Sequence, residues 1–170
     1  MHEPSTLPVM VIDDEPHLRI TASQTLELAG YTPYCFESAE QALAALTPDF
    51  PGVIVSDIRM PGMDGMALLH ELHSRDATLP IILITGHGDI STAVEAMRAG
   101  AWDFLEKPFA GDQLLDVVRR GIEKRQLSLE NHRLKAELEV QQAALGPRLV
   151  GRTPIISRLA AMIQRISQVE

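Results

Sequence analysis

Four short apolar runs, Val-Met-Val-Ile (9–12), Val-Ile-Val-Ser (53–56), Ile-Ile-Leu-Ile (81–84) and Trp-Asp-Phe-Leu (102–105), recur along the chain. Each is too short for a globular helix and rich in branched side chains, so each reads as a buried parallel strand. Amphipathic segments of helical length separate them, at 15–29, 38–46, 64–74 and 90–99. Strand and helix alternating in this way predict right-handed βαβ crossovers and a doubly wound α/β sheet. In such sheets ligands sit outside the carboxyl ends of the strands. The residues closing the runs are therefore the candidate site: Asp13 and Asp14, Asp57, Thr85 and Lys107. The fold should gather all five in one cleft.

From Gly111 the pattern changes. Residues 112–145 hold no Pro, a single Gly (Gly121) and many good helix formers. At about 1.5 Å per residue this helix would run roughly 50 Å, past a domain about 30 Å across, so it must leave the globular body. Its apolar seam has two phases. Leu115, Val118 and Ile122 share a face that can pack on the sheet. Leu127, Asn131, Leu134, Leu138 and Leu145, with Gln141 in the gap, step by four and three residues as a coiled-coil seam does. An Asn131 facing its own copy favours a parallel two-stranded register. The alternative is a solvated helix whose Leu side chains rest on their own domain. Gly146-Pro147 ends the helix, and the last twenty or so residues, with Leu-Val-Gly-Arg-Thr-Pro (149–154) and an amphipathic stretch at 155–166, cannot bury a core and read as the start of a further domain.

Composition narrows the partners. A chain of 170 residues allows one domain of about 120 residues and an appendage. With 15 basic against 23 acidic residues the net charge is −8, which disfavours phosphate backbone as a partner; any DNA-binding module lies outside this chain. The single Cys35 makes no intramolecular disulfide and suits a reducing cytosol. No apolar stretch of about 18 residues exists, and the start lacks a basic then apolar signal, so the chain reads as cytoplasmic, without membrane contact and with a disordered leader at 1–5.

Three carboxylates in one cleft repel by about 4 kcal/mol per close pair at an effective dielectric near 20. A hard cation removes that cost. Mg²⁺ takes one or two carboxylates and keeps several waters, which fits Asp14 and Asp57 as direct ligands and Asp13 through water. Carboxylate, Mg²⁺, ammonium and hydroxyl together suit phosphoryl transfer, with Asp57 as nucleophile forming an aspartyl phosphate and Lys107 and Thr85 stabilising the transferred group. Each residue also has a plainer role open to it. Asp13-Asp14 could cap the helix that follows Glu15-Pro16, Asp57 could be a turn residue as Asp64-Gly65 is, Thr85 could sit in a loop, and Lys107 could be a solvated charge. Their joint placement at strand ends favours the site. His17, His70, His73 and His132 read as solvent-facing helix residues without zinc spacing, and Met60, Met63, Met66 and Met97 as packing.

Val-Ile-Asp-Asp-Glu (11–15), Ser-Asp-Ile-Arg-Met-Pro-Gly-Met-Asp-Gly (56–65), Leu-Ile-Thr-Gly-His-Gly (83–88) and Glu-Lys-Pro-Phe (106–109) carry a family resemblance. Residues 6–123 resemble the receiver domain of two-component response regulators. That resemblance implies a flavodoxin-like five-stranded sheet of order 2-1-3-4-5 with five helices, a sensor histidine kinase as donor and Asp57 as acceptor. It implies Mg²⁺ held by Asp13, Asp14, Asp57 and the Arg59 backbone carbonyl, and a cis Lys107-Pro108 bond. It implies a switch in which Thr85 turns toward the phosphoryl group and Phe104 follows, with Arg59 and His87 tuning phosphate lifetime. Finer features look like the NtrC-type branch: Thr-Gly-His-Gly-Asp-Ile (85–90), and a tail at 147–170 similar to the start of an AAA+ ATPase domain that acts on sigma-54 RNA polymerase, behind a dimerising linker at 124–146. Gln-Thr-Leu-Glu-Leu-Ala-Gly (24–30) is most similar to regulators of four-carbon dicarboxylate transport. No Walker A Gly-Lys-Ser/Thr is present, so the chain is expected to be no enzyme beyond self-catalysed phosphotransfer and dephosphorylation at Asp57. Two other classes compete. An aspartyl-phosphate-forming hydrolase would place an Asp-x-Asp pair after the first strand, whereas here Asp13-Asp14 stands there and the nucleophile lies elsewhere. A pseudo-receiver scaffold would lack an acid or the Lys, and none is missing.

Overall fold

The computed structural model describes residues 7–145. In chain order the elements are β1 (Pro8–Ile12), α1 (Pro16–Leu28), β2 (Thr32–Phe36), α2 (Ala39–Ala45), β3 (Val53–Asp57), α3 (Gly65–Arg75), β4 (Ile81–Thr85), α4 (Ile90–Arg98), β5 (Asp103–Glu106) and α5 (Gly111–Leu145). The five strands are parallel in the order β2-β1-β3-β4-β5. The order reverses at β1, so β1 and β3 form the switch point where a ligand crevice opens.

Strand period explains the two cores. Met10 and Ile12 point into one apolar cluster with Ile54, Leu68 and Leu72. Val9 and Val11 point into the other, with Val53, Leu26 and Val118. Every residue of β3 and β4 is buried, which is why their runs are continuously apolar. By contrast β2 is a half-exposed edge strand, Thr-Pro-Tyr-Cys-Phe. Its side chains need no apolar run, and only the family resemblance pointed to it.

Several local expectations change. Trp102 does not start the last strand but precedes β5, donating its N–H to the Ile81 carbonyl (2.8 Å). Asp64 is the N-cap of α3, its Oδ1 accepting from Ala67 N–H at 2.8 Å, and Gly65 is the first helical residue rather than part of a turn. A Cβ on Gly65 would stand 2.7 Å from the Asp57 carbonyl, so glycine lets α3 press against the end of β3. Asp13 and Asp14 do not cap α1, whose N-cap is Glu15 without a side-chain bond ahead of Pro16. Lys107-Pro108 is cis. His17, His70 and His73 are exposed and His132 is half-buried. Met60 is buried, Met63 and Met66 lean on the core, and Met97 is an exposed surface residue rather than a packing one.

α5 is continuous, and its core stripe differs from the expected one. Leu114, Val117, Val118 and Ile122 are buried while Leu115 is only half-buried. Gly121 sits on the same stripe, and a Cβ there would meet Val53 Cγ1 at 3.0 Å. The stripe reaches Arg125, which is completely buried. One compact unit runs through Leu129 and a second begins at Glu130. Of the seam residues, Leu127 is 53% and Leu134 39% exposed, Asn131 is exposed and Leu138 half-buried. The side chain of Leu145, the leader at 1–5, the Gly146-Pro147 stop and the tail at 147–170 lie outside the described residues. Among the described residues no helix is long and apolar enough to cross a membrane.

Candidate functional site

The acids meet at the switch point. Asp13 follows β1, is fully buried, and accepts the Glu15 N–H on Oδ1 (2.8 Å), while its carbonyl accepts from Arg19 Nη1 (2.6 Å). Its Oδ2 is buried with no partner. Asp14 is exposed, Asp57 is buried at the end of β3, and one carboxylate oxygen from each of the three lies within 4.8 Å of the others. Burial, opposed by the Glu15 N–H and reinforced by the Asp57 charge, lifts Asp13 from 3.8 to about 6.

Lys107 follows β5 and puts Nζ 2.9 Å from Asp57 Oδ2. It is not a solvated charge. Burial pushes its ammonium down, but the bond and charge of Asp57 prevail and the net shift is upward. Asp57 Oδ1 accepts the Arg59 N–H at 3.3 Å. Thr85 closes β4 and is buried, donating Oγ1 to the Leu105 carbonyl at 3.4 Å. Phe104, on β5, is 37% exposed. The strand ends thus bring Asp13, Asp14, Asp57, Thr85 and Lys107 to the same edge of the sheet.

Arg59 and His87 each have a partner that sequence reasoning missed. Arg59 Nη2 lies 3.4 Å from Asp89 Oδ2, and Thr92 Oγ1 braces the other Asp89 oxygen at 2.6 Å. His87 Nδ1 lies 3.1 Å from Glu106 Oε1. The available signal was positional, since Asp89 and Glu106 flank loops already assigned to the site. Beside Lys107 a cavity of about 500 Å³ opens between α1, at Leu18 and Thr21, and Pro108, Phe109 and Leu114.

The unpartnered Asp13 oxygen and three converging carboxylates are a hard-oxygen donor set that fits a divalent cation such as Mg²⁺. A Lys-paired acid beside such a set, at the carboxyl edge of a 2-1-3-4-5 sheet, is a receiver-type arrangement, and the chain belongs to the response regulator receiver domain family, whose model matches residues 9–119. It is similar to the C4-dicarboxylate transport transcriptional regulatory protein DctD of Pseudomonas aeruginosa, 52% identical over 162 residues, covering 95% of this chain and 35% of that protein. It also resembles the DNA-binding transcriptional regulator NtrC of Salmonella typhimurium, at 36% identity over 94% of this chain and 33% of the relative. Among solved structures, NtrX from Brucella abortus in complex with ADP aligns with a TM-score of 0.70 and 35% identity over 95% of this chain and 34% of that one. The chain therefore spans about a third of the length of these relatives.

Proposed function

We propose that this chain is the receiver and linker of an NtrC-type, sigma-54-dependent response regulator, in which Asp57 takes a phosphoryl group from a sensor histidine kinase. The observation that carries this is the buried Asp57 carboxylate held by Lys107 at 2.9 Å beside an Asp13 oxygen without a partner. A carboxylate oxygen of Asp57 attacks phosphorus, the P–N bond to the donor histidine breaks as the P–O bond forms, and the electron pair stays on the imidazole nitrogen. Lys107 stays close to the charge that spreads over the equatorial oxygens, and the Thr85 hydroxyl joins it. Asp13, Asp14, Asp57 and the Arg59 backbone carbonyl would hold Mg²⁺, which when bound neutralises the acids and the incoming phosphate.

Once Asp57 is phosphorylated, Thr85 gives up the Leu105 carbonyl for a phosphoryl oxygen and Phe104 repacks into the space beside it. Arg59 and His87, now tied to Asp89 and Glu106, set how water reaches the aspartyl phosphate and so its lifetime. The receiver spans 6–123, and the linker at 124–146 holds a homodimer through a parallel seam of Leu127, Asn131, Leu134 and Leu138, whose Leu127 and Leu134 are exposed in the single chain. The tail at 147–170 opens the AAA+ ATPase that the switch controls. Sigma-54 RNA polymerase and DNA are reached through parts beyond this chain. The 52% identity to a dicarboxylate-transport regulator supports that branch, and the lone, exposed thiol of Cys35 suits the cytoplasm.

Sedimentation of the chain with Mg²⁺, with and without beryllofluoride as phosphoryl mimic, tests the switch. A change in dimer arrangement with the mimic, absent in Asp57→Asn, is expected. Identical behaviour with and without the mimic would overturn it.

A further inference from the structure

Arg125 is the largest side chain without exposed surface among the described residues. Its Nε donates to the Phe50 carbonyl (2.7 Å), Nη1 donates to Thr78 Oγ1 (2.9 Å), and Nη2 stands 2.8 Å from Asp76 Oδ2 as an ion pair. Thr78 in turn gives its N–H (3.1 Å) and hydroxyl (2.7 Å) to Asp76 Oδ1. Phe50 precedes β3, and Asp76 and Thr78 lie between α3 and β4. Arg125 therefore grips the amino edge of the sheet, the edge away from the acid cluster.

Holding a helix on a core needs only apolar groups, and Ile122 and Val118 do so one and two turns earlier on the same stripe. A buried guanidinium is costly unless paired. What it adds is direction, because its planar fork fixes both the axial position and the rotation of the helix that carries it. Close by, Gly121 lets α5 approach Val53 and Trp102, and Lys124 Nζ lies 4.7 Å from the Trp102 ring centroid. Two residues after Arg125 comes Leu127, 53% exposed. Two residues turn a helix by about 200°, so the first seam residue stands on the side opposite the grip. The body and the seam hold one and the same turn of helix from opposite sides.

We propose that Arg125 is a positioning residue that locks α5 to the amino edge of the sheet, so that a phosphorylation-driven movement of β5 and the start of α5 is passed to the Leu127 seam as a movement of one rigid lever. This deepens the proposed function and rests on it for the seam and the trigger. Without the lock, Val118 and Ile122 still hold the start of α5, but the turn entering the seam rotates independently of the receiver.

The test compares the full chain with Arg125→Met, which keeps an apolar stem, and Arg125→Lys, which keeps the charge without the fork. Two readouts are taken: hydrogen exchange of amides 119–129, and the change in dimer arrangement with Mg²⁺ and beryllofluoride. If Arg125→Met fails to fold, both are read from Arg125→Lys. Expected is exchange in 122–129 faster by at least about tenfold, the factor one charge-assisted hydrogen bond supplies, with the strands still protected, Asp57 still phosphorylated from acetyl phosphate, and the dimer response lost. Unchanged exchange in 122–129 overturns the lock. Faster exchange with a normal dimer response overturns the lever. If the wild-type chain itself shows no dimer response, the proposed switch fails and the lever falls with it, while faster exchange in the variant still identifies the lock.

Discussion

Replacing Asp13 with Asn is expected to stabilise the metal-free protein at neutral pH and to destroy its response to Mg²⁺. Asp13 titrates at about 6 in the folded chain against 3.8 for the free group. For an acid with a raised folded pKa, the folded state binds the extra proton. Its favourable contribution is therefore complete below about pH 4 and is lost as pH rises through about 6. Above pH 6 the buried carboxylate therefore costs about 3 kcal/mol. Discounting for screening through the exposed Asp14 beside it leaves about 2 kcal/mol. Asn keeps the acceptor for the Glu15 N–H and carries no charge, so it should recover that amount, a rise of very roughly 6 °C in Tm. The assay is thermal or urea unfolding in chelator from pH 4.5 to 8. The gain should grow across that range and level off above pH 6. Added Mg²⁺ should then reverse the order, because ligand binding stabilises only the chain that keeps its acids. An equal or lower stability for Asp13→Asn at pH 7.5 in chelator, or a gain independent of pH, would refute the reasoning.

Other outcomes follow from the same geometry. Exchanging Arg59 and His87 together for Ala should change the lifetime of the aspartyl phosphate while Mg²⁺ affinity, measured by calorimetry, stays close to wild type; unaltered decay counts against their role. Trp102 precedes β5, at the end of the strand away from Lys107, so its fluorescence should respond weakly to Mg²⁺ and more strongly to beryllofluoride; strong quenching by Mg²⁺ alone would contradict that placement. If the proposed seam forms, Leu134→Asp with Leu138→Asp should weaken the unphosphorylated dimer by opposing like charges where the seam would bury Leu, and an unchanged dimer at micromolar concentration would leave a receiver-only interface.

Residues that end buried strands were the most legible part of the chain. Asp13, Asp57 and Thr85 could be ordered from sequence because β1, β3 and β4 lie beneath helices on both faces and so write themselves as apolar runs, whereas Lys107 follows the edge strand β5, which only the short Trp-Asp-Phe-Leu run marked. The edge strand β2, paired on one side only and partly exposed, left no run. Which helix face packs was half legible: Val118 and Ile122 were placed, but Leu115 stood in for Leu114 because several apolar residues compete for one stripe. Arg125 was invisible to a hydrophobic pattern, since it is charged. The signal was its spacing, three residues past Ile122 and seven past Val118, where a charge must find buried partners. Those partners, Phe50, Asp76 and Thr78, are remote in sequence, and only the fold brings them to it.

In the proposed function Asp57 is a metal-dependent phosphoacceptor. Intact-mass and peptide mapping after incubation with acetyl phosphate measures it directly. One phosphoryl group per chain, located at Asp57, formed with Mg²⁺ and absent with chelator or in Asp57→Asn, is the predicted result. Stoichiometric phosphorylation that persists in Asp57→Asn, or that proceeds equally without Mg²⁺, would contradict it.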